Sequence, residues 1–206
     1  MRTRDARIDD AILAATIVLL DEIGYQALTI GAVATRAGVH RPAVYRRWAS
    51  KRHLVVDAVA SQMGVAPTPD TGDVRADLVV GIATLVRSLS GTALSRVLPA
   101  LVADLANDAD LAAEFRERVF DPRRESTAIA LRSAIARGDI RSDIDFDFVL
   151  DALAAPVYYR ILFGHLPVSD RLAEQAVDTV LAAAGRSPAV ANTSRVDTGA
   201  ERLCGH

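Results

Sequence analysis

The stretch from Thr29 to Ser50 has room for two short helices and one tight turn, and little else. Ile30, Val33, Ala34 and Ala37 fall at i, i+3, i+4 and i+7, so they share one face of a helix. Thr29 stands just before them, where a hydroxyl accepts an orphan amide of the first turn. Gly38 follows the last apolar position and suits the left-handed residue that ends a helix. Val39, His40 and Arg41 then turn the chain. Pro42 opens the next helix, where its missing N–H costs little, and Val44 and Trp48 share the inner face of that helix. Two short helices joined in this way form a helix-turn-helix.

The same punctuation runs through the rest of the chain. Ile8, Ile12, Ala15, Leu19 and Ile23 recur at helical spacing before Gly24, and Ser50 is placed to cap a fourth helix reaching about Met63. Val65–Gly72, with two prolines and a glycine, reads as a linker. Five further helices are predicted at 73–90, 93–107, 109–137, 146–163 and 169–185. Asp108 and Asp170 mark starts, and Gly91, Gly138, Gly164 and Gly185 mark ends. Pro122 and Pro156 should kink or divide the helices that hold them. No stretch alternates with period two. The expectation is an all-α fold of about nine helices: a helix-turn-helix module over residues 1–63, a helical body over 64–185, and a flexible tail over 186–206.

Charge separates module from body. Residues 1–60 hold nine Arg/Lys against six Asp/Glu, whereas the whole chain has a net charge of −2. Between Glu22 and Asp57 every charge is positive: Arg36, Arg41, Arg46, Arg47, Lys51 and Arg52. An all-basic window in an acidic chain points to a polyanionic partner for that window alone. The exposed face of the second short helix is predicted to be Arg41, Arg46 and Arg47, and Lys51 and Arg52 follow at the next helix start. Cations at a helix N-terminus oppose its dipole, and a phosphate held there by amides and side chains together removes the conflict.

Enzymatic chemistry finds no foothold. The four histidines are scattered, and no GxxxxGK[ST], HExxH, CxxC or GxSxG motif occurs. No catalytic residue, metal site or cofactor is expected. The apolar run Ala11–Leu20 is flanked by acidic residues on both sides, unlike a signal peptide, and no apolar stretch is long enough to span a membrane. The single cysteine, Cys204, permits no internal disulfide and fits a cytoplasmic protein. The rival class is a helical small-molecule-binding or interaction protein without DNA binding, which would have no use for the basic window.

Three runs in this region are arranged as in one known family: Leu28-Thr29-Ile30 through Ala34, Ala37-Gly38-Val39, and Ala43-Val44-Tyr45-Arg46-Arg47-Trp48 with Ser50-Lys51 and Leu54. The chain here resembles the tetracycline-repressor (TetR) family of regulators. Ala136–Arg141, Asp151-Ala152-Leu153 and Tyr158-Tyr159-Arg160 resemble a C-terminal subgroup of it. The resemblance implies a nine-helix protomer, a homodimer built through the last two long helices, a small-molecule effector held in the body, and double-stranded operator DNA as partner. By position, Thr29, Tyr45 and Lys51 would contact phosphates, and Arg41, Pro42, Ala43 and Arg46 would face the major groove. His40 stands where the family has Ser or Thr, Pro42 where it has Gly, and Arg52 where it has Glu. His40 is a further candidate phosphate contact, so the expected DNA-binding set is Thr29, His40, Arg41, Pro42, Ala43, Tyr45, Arg46, Arg47 and Lys51.

In the body, the few aromatics Phe115, Phe120, Tyr158, Tyr159 and Phe163 are candidate ligand contacts, with plain core as the alternative. Arg160 is expected to pair with Asp151 or Asp147. Two apolar stripes, Val149, Leu153, Val157 and Ile161, then Leu172, Ala176, Val180 and Ala183, are the candidate dimer interface, and the alternative is that each stripe faces its own core.

Overall fold

The computed structural model of the chain describes residues 4–63 and 66–185. Its helices are α1 (Arg4–Ala27), α2 (Ile30–Arg36), α3 (Arg41–Tyr45), α4 (Lys51–Gln62), α5 (Val74–Leu89), α6 (Ala93–Leu105), α7 (Ala109–Phe115), α8 (Asp121–Arg137), α9 (Phe146–Phe163) and α10 (Asp170–Ala184). A π-helical turn, Arg116–Phe120, carries α7 into α8 without a break, so these residues form nine helical runs. Among the described residues there is no strand, only one isolated antiparallel bridge between Ile140 and Gly185. The fold is all-α, as the periodicity predicts. The tail over 186–206, Cys204 included, lies outside the described residues.

Local chemistry sets the helix ends. Thr29 Oγ1 accepts the Ala32 N–H at 3.1 Å, and Asp108 Oδ1 accepts the Leu111 N–H at 3.0 Å. Gly138 and Gly164 are left-handed C-caps. Gly24 (φ 75°, ψ 173°) leaves the helical conformation and interrupts α1 where a stop is predicted, and Asp170 starts α10 as its first residue, with Ser169 as the N-cap. Two expectations need correction. Ser50 holds the N-cap position of α4, but its hydroxyl bonds His53 Nδ1 at 2.8 Å instead of an amide. Pro156 sits inside an unbroken α9. Pro122 behaves differently: it has no N–H to give the carbonyl four residues back, and the helix changes register just before it. There the Asp121 N–H reaches Arg116 O, five residues back.

The N-terminal module is built around α1, which packs on α2 and α4 and also on α6 of the body. Leu54, Val55, Val56 and Val59 of α4 and its C-cap Met63 are buried, so the module and the body share one continuous core. In the body, α5 packs against α8, α9 and α10, and α10 packs against α9. Leu153 and Val157 of α9 and Ala173 and Val177 of α10 are fully buried between them; truncating Leu153 to Ala would cost about 2–5 kcal/mol. The expected linker is a strap over its described part. The Thr68 N–H donates to Ser126 Oγ at 2.7 Å, and the buried Asp77 carboxylate accepts both the N–H and the hydroxyl of Thr71 at 2.8 Å. No single described helix is long and apolar enough to cross a membrane.

Candidate nucleic-acid interface and body cavity

Two buried side chains hold α3 against the module: Val44, fully buried, and Trp48, whose indole N–H donates to Asp57 Oδ2 of α4 at 2.8 Å. Gly38 makes the turn before α3 with φ 67°, a conformation that costs a side-chain-bearing residue about 1–2 kcal/mol. Fixing the inner face in this way turns His40, Arg41, Pro42, Tyr45 and Arg46 outward. Tyr45 is 56% exposed although it is a large aromatic. Ala43 is half-buried at the edge of this face. Among the described residues neither Arg41 nor Arg46 has an acidic partner, and the Arg41 guanidinium lies directly over Gly31 of α2. His40 is the backbone N-cap of α3 without a capping hydrogen bond from its ring. Thr29, at the start of α2, spends an oxygen lone pair on its cap and keeps its hydroxyl proton to donate.

The other cations of the basic window are engaged within the protein. Arg47 was expected on the exposed face; it is turned instead toward α1, where it forms ion pairs with Asp9 and, at 2.9 Å, with Asp5, and donates to Ala43 O at 3.0 Å. One residue further along a helix is a rotation of about 100°, enough to carry Arg47 off the face that Arg46 occupies. Arg36 pairs with Glu22, and Arg52 lies 3.6 Å from Asp108. Lys51 Nζ donates to Tyr25 O at 3.1 Å and sits 4.8 Å from the centre of the Tyr25 ring, where it answers a carbonyl at the end of α1.

The body holds a cavity of about 550 Å³ between α5, α8 and α9. Ile82, Leu85, Phe120, Leu150, Tyr158 and Tyr159 form much of its wall, with Arg123, Arg124 and Asp151 as its charged groups. Three of the five candidate aromatics therefore converge. Phe115 does not: it borders a separate, smaller void beside Met63 and Leu101. Phe163 lies outside, 68% exposed, with its ring centre 4.9 Å from that of Tyr159.

Arg123 is the residue that sequence reasoning missed. Its Nη2 donates to Met63 O at 2.6 Å and to Ser88 Oγ at 3.0 Å, while its Nε is buried without a partner among the described residues. Burial pushes its guanidinium below the ordinary arginine value and holds the Tyr158 hydroxyl above the ordinary tyrosine value. Arg124, its neighbour in sequence, bonds both Asp147, at 2.8 Å, and Asp151. Arg160 therefore does not pair with either aspartate and instead donates to Pro167 O at 2.8 Å. Among the described residues no three His, Cys, Asp or Glu side chains gather where a metal ion would bind.

The candidate dimer stripes face inward. Val149, Leu153, Val157, Leu172, Ala176 and Val180 are buried within the protomer, Ile161 is half-buried, and only Ala183 is exposed. These stripes are core, and the apolar surface lies on the opposite side of α9: Phe148, Ala155, Tyr159, Leu162, Phe163 and, just beyond the helix, Leu166 are exposed. The outer face of α10 is instead largely polar, with Arg171, Glu174, Gln175, Asp178 and Thr179.

Residues 12–58 match the domain described as bacterial regulatory proteins of the tetR family, and residues 68–180 match the tetracyclin-repressor-like C-terminal domain. The HTH-type transcriptional regulator YdeS of Bacillus subtilis is 32% identical over 170 residues, 82% of this chain and 85% of that protein. The DNA-binding transcriptional repressor TetR of Mycobacteroides abscessus is 29% identical over 174 residues, 83% of this chain and 90% of its own. Among solved structures, the TetR family transcription regulator SCO0332 superposes with a TM-score of 0.69 at 34% identity, covering 85% of this chain and 97% of that one. With a helix-turn-helix whose outer face is basic, a helical body, and matches that span both, the chain belongs to the TetR family of DNA-binding transcriptional regulators.

Proposed function

We propose that this regulator is a cytoplasmic, homodimeric repressor that a small molecule releases from its operator. Residues 1–63 act as the DNA-binding unit and residues 64–185 as the effector-binding and dimerisation unit. The observation that carries the reading is the outward pair Arg41 and Arg46, without acidic partners among the described residues, on a helix anchored from behind by Val44 and Trp48. Arg41 and Arg46 read base edges in the major groove, with Pro42 and Ala43 making apolar contacts beside them. His40 and the hydroxyls of Thr29 and Tyr45 contact phosphates. Lys51 gives ammonium protons to Tyr25 O and, at 3.5 Å, to Gln26 O, and its third N–H serves a phosphate next to the end of α1. Arg47 positions α3 against α1 and does not itself touch DNA.

The exposed apolar side of α9, centred on Phe148, Tyr159 and Phe163, is the surface that a second copy covers. Dimerisation sets two copies of α3 about one helical turn of DNA apart, roughly 34–36 Å. An effector in the body cavity favours the state with a different spacing, and operator affinity falls by its differential affinity for the two states. The repressor named among the relatives supports the sign of regulation.

Fluorescence anisotropy on a labelled duplex over a range of salt tests the DNA-binding core of this reading. A protein neutralising six to ten phosphates loses about 10³–10⁵ in affinity between 50 and 200 mM salt. Binding that is absent at low salt, or indifferent to salt, would overturn the reading.

A further inference from the structure

Arg123 carries a charge that its surroundings leave unanswered. Of the three charged groups in the cavity wall, Arg124 and Asp151 bond each other, and Asp147 bonds Arg124 from outside. Among the described residues no carboxylate pairs with Arg123. Its two bonds go to a neutral carbonyl and a neutral hydroxyl, and its Nε has none. Of the wall's hydroxyls, Ser126 accepts the Thr68 N–H, Thr68 bonds Thr127 at 3.2 Å, and the neutral phenols of Tyr158 and Tyr159 supply no negative charge to Arg123. Most of the remaining wall is hydrocarbon. At about 550 Å³ the cavity falls within the roughly 300–1,000 Å³ of small-molecule sites, and it is far larger than one polar head requires.

We infer that the cavity takes an amphiphile with a single monoanionic head, a carboxylate, that rests on Arg123 and competes there with the Met63 carbonyl. This inference rests on the proposed role of the cavity as the effector site and names the chemistry of the effector. A neutral ligand leaves the buried cation uncompensated, and a cationic one adds to it. An anion converts it into a charge-assisted pair. One unpaired arginine matches one negative charge, and the apolar walls take a hydrocarbon tail.

The position of Arg123 also gives the head group a route to the DNA-binding unit. Met63 is the C-cap of α4, the helix that begins at Lys51 directly after α3. The bond from Arg123 Nη2 to Met63 O ties that end of α4 to α8. A head group that draws the guanidinium away removes the tie. Trp48, the one tryptophan of the chain, is bonded to Asp57 of α4 and reports on that helix without a label.

Calorimetry on the full chain with three probes that share a tail, decanoate, decanol and decyltrimethylammonium, tests the inference. Decanoate should bind about 10- to 100-fold more tightly than decanol, the worth of a charge-assisted hydrogen bond, and should shift Trp48 emission. Arg123→Gln should bring decanoate down to the level of decanol and abolish the emission shift, with unchanged helical circular dichroism showing that the variant is folded. Arg123→Lys should restore most of the preference. Equal binding of decanol or the cation, or a preference that survives Arg123→Gln, would overturn the anionic head while leaving the cavity as an effector site. Failure of all three probes to bind would overturn this inference and count against the cavity as an effector site.

Discussion

Among the described residues, the N-terminal module and the body each hold arginines without an acidic partner, in opposite surroundings. Arg41 and Arg46 stand in solvent on the outer face of α3, where an unpaired guanidinium is fully hydrated and carries no penalty. Arg123 stands against an apolar cavity, with its Nε buried and unbonded, and there the same charge is costly. The first arrangement waits for a partner as large as a DNA backbone. The second fits a ligand small enough to enter the body. The window from Arg36 to Arg52 makes the same distinction on a smaller scale. Arg36, Arg47, Lys51 and Arg52 have partners inside the protein, so charge density alone does not mark the DNA face. Orientation does.

The largest expected effect comes from separating the two copies, because it deprives the α3 faces of each other without touching either. Phe148→Glu combined with Phe163→Glu places charges on the exposed stripe of α9, away from the cavity wall. Light scattering should report a monomer of unchanged helicity. Affinity for a two-half-site duplex should fall by about 10²–10⁴, the gain that linked binding supplies. A variant that stays dimeric would remove this stripe from the interface. Val180→Glu would be a poor test, since Val180 is buried in its own protomer and a charge there attacks the fold itself.

Arg41→Ala should cost about 1–3 kcal/mol of discrimination at particular operator positions, with thermal stability unchanged. Equal weakening on every duplex sequence would demote Arg41 to a phosphate contact. Lys51→Ala should flatten the log–log salt slope by about one unit per protomer. An unaltered slope would assign Lys51 wholly to the end of α1. The smallest effect is expected from Gly31→Ala, whose new Cβ would lie 2.5 Å from Arg41 Nη2. The long side chain can swing aside, and alanine favours the helix by up to about 1 kcal/mol. The melting temperature should hold or rise slightly while the base preference contributed by Arg41 changes. An unchanged preference would show that the position of Arg41 over Gly31 is irrelevant to readout.

Features that depend on neighbouring residues were legible in the sequence. The Thr29 cap, the left-handed Gly38 and the buried pair Val44 and Trp48 all follow from spacing over a few positions. Arg47 was misplaced because its partners Asp9 and Asp5 are 38 and 42 residues away, although two aspartates at i, i+4 on α1 were a hint. That the predicted apolar stripes face inward was hidden for another reason. α9 is apolar nearly all the way round, so its periodicity singles out no face, and only the packing of α5 and α10 decides which side is core. Arg123 and Arg124 are chemically identical neighbours. The rotation of about 100° between them sends one to two aspartates and the other to the carbonyl at the end of α4.

Arg46 and Arg47, adjacent arginines that face away from and toward α1, offer the most direct test of the DNA-binding face. Arg46→Ala and Arg47→Ala should be compared for DNA affinity and for thermal stability in the same buffers. Arg46→Ala is expected to lose sequence preference and keep its melting temperature. Arg47→Ala is expected to lose about 1–2 kcal/mol of stability, the worth of its partly exposed charged hydrogen bonds, and to keep the sequence preference. The reverse pattern, with Arg47→Ala stable but blind to sequence and Arg46→Ala destabilised, would contradict the orientation of α3 on which the DNA-binding face depends.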